Sequence, residues 1–355
     1  ISARLVRFAS VLVGHVRGGL AHVVIVATIF FSGVSGSSAA DTAAIGSIMI
    51  PSMVRRGYPR PLATAIVAAA GGMGVNIPPC IIMVLYGVAA NASIGYLFAA
   101  GFLPGFLSGL SLMVMVYFTA KRQGLPKEVK ASLRQMLKAA WDAIPPLFMP
   151  VIILGGILTG VFTATESAVI AVVYGAFLSM VVYRELRLRD VPRILVSSAK
   201  LTGMVMLVVG MSITFAWIVS IERVPHMVTE WMLSVSRNPM VFLFFVNILM
   251  LIVGMFLDAT PAMITFTPIL YPIANQLGID PVHFGIVMVT NLGVGFVHPP
   301  VGSCLNVATA IGEITIDEVI RPILPFIGVM IVALLLITYW PGMTLFIPRM
   351  LGYKG

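Results

Sequence analysis

The sequence predicts an all-α polytopic membrane protein, built as an inverted repeat with two re-entrant helical hairpins and two broken transmembrane helices. Three observations lead to this prediction. The 355 residues are 59% hydrophobic and only 10% charged, with a mean hydropathy of +1.04. Glycines and prolines recur at a fixed offset along the chain. Basic residues gather in a few connecting segments.

The composition excludes the soluble classes of protein. Soluble domains average about 45–50% apolar and roughly 25% charged residues, so a soluble enzyme or a nucleic-acid-binding domain does not fit. Apolar runs of about 20 residues satisfy their backbone in lipid only as helices. The net charge of +9 therefore indicates basic cytoplasmic loops that face lipid headgroups.

The apolar runs predict the elements in chain order. The first repeat, 1–118, contains a hairpin (18–56), a helix broken by Gly and Pro (61–91) and a further span. A basic connector over 119–140 follows. The second repeat, 141–355, contains three spans, an amphipathic segment (224–237), a hairpin (239–276), a broken helix (282–312) and a last span.

A shift of 221 residues without a gap aligns the two repeats. Eight Gly and Pro positions coincide, against about two expected by chance. The coincidences are Gly33 with Gly254, Pro51 with Pro272, Gly57 with Gly278, Gly72 with Gly293, Gly74 with Gly295, Pro78-Pro79 with Pro299-Pro300, and Pro104 with Pro325. Because Gly and Pro fix unusual backbone geometry, the repeat is one of backbone shape. The spans before 222 have no counterparts before Ile1, so we expect about 80 further residues upstream.

The number of crossings predicts that the second repeat is upside down. Five crossings separate the two hairpins if 144–183 forms two helices rather than one bent helix. Charge placement supports this topology when the connector is cytoplasmic and the C-terminus periplasmic. On the far side only Arg223, Arg237, Arg349 and Lys354 then remain, and no Lys or Arg lies at membrane depth.

Polar interruptions at membrane depth predict a transport site. Non-helical backbone is tolerated there only inside protein or beside a water-filled cavity, and broken helices offer free carbonyl and N–H groups to ions. Asp258, at the second hairpin tip, is an intramembrane carboxylate, which indicates function. Asp41 is either functional or a cap of the second hairpin arm. Glu166 fits a capping box with Thr163, which predicts a structural role.

Several stretches together resemble one family. They are 12–20 (LVGHVRGGL), 31–37 (FSGVSGS), 77–79 (IPP), 160–166 (GVFTATE), 278–286 (GIDPVHFGI) and 299–302 (PPVG). These stretches resemble the large membrane subunit of TRAP (tripartite ATP-independent periplasmic) transporters, and the likeness extends along the whole chain.

The resemblance implies an elevator-type secondary transporter of the bacterial inner membrane that takes up a small organic acid with sodium. It implies a small membrane subunit and a periplasmic substrate-binding protein as partners, with Na⁺ as coupling ion and no organic cofactor. Sodium sites of the family lie between each hairpin tip and its broken helix. Carried over by motif, the first site uses Ser35, Ser37, Gly74, Ile77 and Pro79, and the second uses Asp258, Gly295, His298 and Pro300.

The offset of 221 residues independently pairs Ser37 with Asp258, Gly74 with Gly295, Ile77 with His298 and Pro79 with Pro300. We expect the substrate to meet the N-termini of half-helices and neutral polar side chains, because no basic residue is predicted at membrane depth. The candidates are Ser38, Thr42, Asn76, Asn291, Ser303 and Asn306. Arg55, reaching in from an edge, is the alternative partner for an acid.

Three other functions compete with this one. The first is a stand-alone dicarboxylate or citrate-type elevator carrier, coupled to sodium or protons. The second is an intramembrane enzyme that uses Asp41 and Asp258, although neither has the flanking motif of a known aspartyl type. The third is a channel lined by the Gly-rich tips, but paired hairpins in an inverted repeat favour alternating access.

Overall fold

The computed structural model of the chain describes residues 2–128, 130–223, 227, 230 and 238–355. Every regular element within these residues is helical. The first half contains α1 (Ser2–Val13), α2 (Gly19–Ser35), α3 (Ser38–Arg55), α4 (Arg60–Gly74), α5 (Ile81–Ala89) and α6 (Ile94–Gln123). The second contains α7 (Leu133–Leu158), α8 (Ala164–Phe177), α9 (Val191–Ile221), α10 (Pro239–Phe256), α11 (Ala259–Gln276), α12 (Pro281–Gly295), α13 (Ser303–Gly312), α14 (Ile316–Tyr339) and α15 (Pro341–Met350).

Six helical segments of the described chain are long and apolar enough to cross a membrane. They are Ile94–Gln123, Leu133–Leu158, Ala164–Val182, Leu188–Phe215, Pro239–Phe256 and Ile316–Tyr339. This confirms the predicted class of all-α polytopic membrane protein. The predicted amphipathic segment 224–237 lies almost entirely outside the described residues.

Both predicted hairpins are pairs of packed helices joined by a very short turn. In the first, α2 ends at Gly36, whose φ of 68° closes the helix as only Gly does readily. Ser37 then caps α3 by accepting a hydrogen bond from the Ala40 N–H at 3.5 Å. In the second, Leu257 and Asp258 are extended and join α10 to α11.

Both predicted broken helices are interrupted at the Gly-Pro motifs. The helix α4 ends at Gly74 and α5 begins at Ile81, while α12 ends at Gly295 and α13 begins at Ser303. The boundaries follow the offset of 221 residues: α3 and α11 correspond from end to end, as do α4 and α12.

Helix contacts also recur between the two halves. The contacts of α2 with α3 and of both with α4 recur as those of α10 with α11 and of both with α12. Other contacts exchange partners: α13 packs against α3 of the first half, and α5 packs against α11 of the second half. Each broken helix therefore passes from its own hairpin to the other.

The two broken helices cross at glycine. A Cβ on Gly72 would lie 2.6 Å from the Gly293 carbonyl oxygen, and a Cβ on Gly293 would lie 2.7 Å from the Gly72 carbonyl oxygen. Only residues without a side chain allow this approach, which brings the breaks of α4 and α12 to the same region.

The segment 144–183 forms two helices, α7 and α8, which pack against each other. The Glu166 N–H donates to Thr163 Oγ1 at 3.2 Å, and the Thr163 N–H donates to Glu166 Oε2 at 2.8 Å. This confirms the predicted capping box and the structural role of Glu166. The connector is more helical than predicted, since α6 continues to a left-handed Gly124 and α7 begins at a Ser132 capping box.

The glycine crossing can be tested with Gly72→Ala. We expect a loss of stability on the order of 1–3 kcal/mol, because the added methyl group forces the two backbones apart. Thermal unfolding of the purified protein measures the loss. Gly328→Ala is the matched control in α14, because a Cβ there meets nothing within 4 Å. A melting temperature of Gly72→Ala equal to that of the control would contradict this packing.

Candidate functional site

The first hairpin tip lies directly on the first break. The Ile81 N–H donates to the Gly36 carbonyl at 3.3 Å. A Cβ on Gly36 would lie 3.0 Å from the Pro79 carbonyl oxygen, so this oxygen approaches the tip. Backbone of the tip and backbone of the break therefore touch without an intervening side chain.

The second tip contacts the second break in a similar way. The Ser303 hydroxyl donates to Asp258 Oδ1 at 3.2 Å and joins the tip to the start of α13. Below the tip, a Cβ on Gly295 would lie 2.7 Å from the Cα of Gly254. Asp258 occupies the N-cap position of α11 without capping it, so its carboxylate faces the break.

One cavity of about 90 Å³ touches both tips and both breaks. Four helices begin at its wall, each represented there by a residue of its first turn: Ser38 of α3, Ile81 of α5, Thr260 of α11 and Ser303 of α13. None of the described residues that line it is basic. The positive ends of four helix dipoles thus converge on an uncharged cavity wall that also carries Asp258.

The residues of the first predicted sodium site come together around the first tip. The Ile77 N–H donates to the Gly74 carbonyl at 3.0 Å, which forms the turn that ends α4. The Ser35 hydroxyl lies 3.2 Å from the Ser37 N–H within the tip. Pro79 approaches the tip from the break. The group consists of carbonyl and hydroxyl oxygens, which are hard donors suited to a hard cation.

The second predicted set forms a similar turn. The His298 N–H donates to the Gly295 carbonyl at 3.0 Å, and the His298 carbonyl accepts from the Gly302 N–H at 3.2 Å. The His298 ring Nδ1 lies 2.7 Å from the neighbouring Pro299 carbonyl oxygen. The ring is therefore engaged with its own turn.

The six predicted substrate residues fall into two groups. Ser38 and Ser303 line the cavity, and Ser38 Oγ is buried without a hydrogen-bond partner in the described chain. The Thr42 hydroxyl donates to the Ser38 carbonyl at 2.8 Å, one turn into α3. The Asn306 amide donates to the Val301 carbonyl, next to the second break.

Asn76 and Asn291 are engaged in contacts between helices instead. Asn76 Oδ1 accepts a hydrogen bond from the Thr290 hydroxyl at 2.9 Å. Asn291 Nδ2 donates to Asn247 Oδ1 at 2.8 Å. All four side chains are buried. The two amides thus connect α12 to the first break and to α10.

Asp41 was absent from both predicted sodium sets, yet it lies beside the first. Its side chain is 1% exposed, and its carboxylate accepts hydrogen bonds from the Ser32 and Ser35 hydroxyls of α2. The capping alternative is wrong, because Ser37 takes that role. The sequence signal was a carboxylate four residues after a polar tip. The described residues contain no group of three or more His, Cys, Asp or Glu that could hold a metal ion.

A sequence profile of the DctM family, described as "Tripartite ATP-independent periplasmic transporter, DctM component", matches residues 1–343. The chain belongs to this family. It is 43% identical over 352 residues to the C4-dicarboxylate TRAP transporter large permease protein DctM of Pseudomonas aeruginosa, covering 99% of this chain and 82% of that protein.

Two further DctM-family relatives carry other substrate names. The sialic acid TRAP transporter large permease protein SiaM of Vibrio cholerae is 40% identical over 354 residues, covering 99% of this chain and 83% of SiaM. The isethionate TRAP transporter permease protein DctMQ of Oleidesulfovibrio alaskensis is 43% identical over 347 residues, covering 98% of this chain and 55% of DctMQ. Family membership and the membrane helices identify the chain as a TRAP large permease of the inner membrane, a transporter component rather than an enzyme.

The interhelical role of Asn76 can be tested with Thr290→Val. We expect a loss of about 1–3 kcal/mol of stability, because the buried Asn76 carbonyl loses its hydrogen bond. The substrate concentration for half-maximal uptake should stay unchanged, since neither residue lines the cavity. Thr267→Val is the matched control, because that buried hydroxyl bonds within its own residue's helix, to Met263. A raised half-saturation with unchanged stability would instead assign Asn76 to substrate binding.

Proposed function

We propose that this permease takes up a small organic acid by sodium-coupled secondary transport with an elevator-type mechanism. The observation that carries the proposal is the cavity at which two hairpin tips, two helix breaks and four helix N-termini meet. The names of the relatives support an acidic substrate, since they include C4-dicarboxylate, sialic acid and isethionate.

Helix N-termini supply the favourable charge for an acid. Each N-terminus carries about half a positive charge and unpaired backbone N–H groups, which together bind carboxylates. Ser38, Thr42 and Ser303 would add neutral hydrogen bonds. Arg55 lies at the far end of α3 from the cavity, which favours the N-termini over a basic side chain as the partner of the acid.

Sodium fits the two groups of oxygens at the tips. The first set consists of Ser35, Ser37, Gly74, Ile77 and Pro79, and the second of Asp258, Gly295, His298 and Pro300. A cation held between tip and break would fix each hairpin against its broken helix and complete the cavity wall for the acid. Its charge would also offset that of the substrate.

Two contacts support the inverted arrangement of the halves. At one end of the protein, Arg60 at the start of α4 reaches Glu313, just after α13, at 3.5 Å. At the other end, the Tyr86 hydroxyl of α5 donates to the Pro281 carbonyl at the start of α12 at 2.8 Å. The helices α4 and α12 thus start from opposite ends, as alternating access by an inverted repeat requires.

The connector side is the proposed cytoplasmic side, with the C-terminus in the periplasm. Arg56, at the end of the first hairpin, pairs with Glu128 of the connector at 3.1 Å. The Glu128 N–H donates to the Gly14 carbonyl, just before the hairpin, at 3.1 Å. Both ends of this hairpin therefore lie beside the connector, which supports a re-entrant path.

A small membrane subunit and a periplasmic substrate-binding protein complete the proposed system. The tripartite description of the family and the name DctMQ of one relative support these partners. Large apolar side chains on α8 and α9, among them Val172, Phe177, Leu201 and Leu207, are exposed and suited to lipid or to another membrane helix.

Uptake in proteoliposomes tests the proposal. We expect uptake of the acid to require both an inward sodium gradient and the cognate binding protein, and Asp258→Ala to abolish it, because the second site would lose its only charged ligand. Initial rates of labelled substrate uptake measure this.

The alternatives give different results in the same assay. Uptake without the binding protein would indicate a stand-alone carrier, and uptake without a saturable ion dependence would indicate a channel. If sodium has no effect and Asp258→Ala transports normally, the two-site proposal is wrong and the paired breaks are structural or coupled to protons. Asp317→Asn, at the exposed start of α14, is a control carboxylate distant from both tips.

A further inference from the structure

Asp41 is a buried carboxylate that the two proposed sodium sets leave out. It lies in the first turn of α3 and is 1% exposed. Its two oxygens accept hydrogen bonds from Ser32 and Ser35. Within the described chain, no Lys, Arg or His forms an ion pair with Asp41.

A buried carboxylate needs a compensating positive charge. An ionised group away from water is strongly destabilising unless it is paired, and two hydroxyl groups supply hydrogen bonds but no charge. Asp41 therefore has an unmet electrostatic requirement that a bound cation would satisfy.

The first proposed sodium site lies next to this carboxylate. Ser35 belongs to that site and contacts Asp41 directly. Gly74 belongs to it too, and a Cβ on Gly74 would lie 3.1 Å from Asp41 Oδ2. Because Ser35 donates its hydroxyl hydrogen to Asp41, the lone pairs of its oxygen remain available for a cation.

The offset between the two halves makes the placement informative. The position equivalent to Asp258 in the first half is Ser37, and the position equivalent to Asp41 in the second half is Ala262. Each half therefore has one carboxylate where its tip meets its break, but the two occupy different positions. Without Asp41, the first donor set contains only neutral oxygens.

We propose that Asp41 supplies the negative charge of the first sodium site, as Asp258 does for the second. Asp41 is a positioning residue that orients the Ser35 hydroxyl and balances the charge of the ion. This inference rests on the sodium coupling proposed above, and it concerns only which residue completes the first site.

Sodium-dependent thermal stability tests the inference independently of transport. Melting temperatures of the purified transporter are measured over a range of NaCl concentrations, with choline chloride holding the ionic strength constant. A ligand that binds only the folded state raises the melting temperature with its concentration. We expect Asp41→Asn to raise the sodium concentration for half-maximal stabilisation by about 10-fold to 100-fold, as for other groups that orient metal ligands.

Matched variants separate this inference from the proposed function. Glu313→Gln makes the same chemical change at an exposed ion pair and should keep the sodium response of the original chain. Asp258→Asn should weaken the response through the second site. If the original chain shows no sodium response, the proposed sodium coupling fails. If Asp258→Asn weakens the response and Asp41→Asn does not, the inference about Asp41 alone is overturned.

A rescue variant keeps the test decisive even if Asp41→Asn folds poorly. The double variant Ser37→Asp, Asp41→Asn removes the carboxylate from α3 and places one at the position equivalent to Asp258. We expect it to recover sodium-dependent stabilisation to within about tenfold of the original, because the site regains its charge. A folded double variant without a sodium response, or no recovery of folding, would overturn the inference.

Discussion

The backbone contact between Gly72 and Gly293 sets the distance at which the two halves meet. In a membrane, helices gain little from hydrophobic association, so close packing of small residues holds them together. At this crossing each glycine faces the carbonyl of the other. The helices α4 and α12 therefore approach closely enough for both of their breaks, a few residues further on, to reach one central cavity.

The exchange of helices after each break makes the cavity a joint product of both halves. Beyond its break, α5 packs against α11, and α13 packs against α3. Each hairpin tip thus contacts its own break from one side and lies near the other half's helix from the other. A cation that ties a tip to a break would stabilise one wall of the cavity in place, which links ion binding to substrate binding through shared backbone.

Backbone features were predictable from the sequence, and long-range side-chain partners were not. The offset of Gly and Pro positions anticipated the hairpins and broken helices, because those residues restrict the backbone wherever they stand. Asn76 and Asn291 read as cavity residues since they lie near breaks, but their partners Thr290 and Asn247 come from other helices. Asp41 read equally well as a cap, and only the position of Ser32 on the facing helix decides between the two.

The two halves share a backbone but differ in their buried polar chemistry. In the second half, His283 Nδ1 lies 2.8 Å from the Thr344 hydroxyl, and Asn247 Nδ2 donates to Thr338 at 3.2 Å. Leu62 stands at the position equivalent to His283, and Val26 at that of Asn247. The carboxylates differ as well, since Asp41 and Asp258 stand on opposite sides of their tips. Backbone carbonyls provide most donors of each proposed site, so the single charge is free to enter from either side. A repeat that preserves backbone geometry can therefore keep two cation sites while the side chains around them diverge.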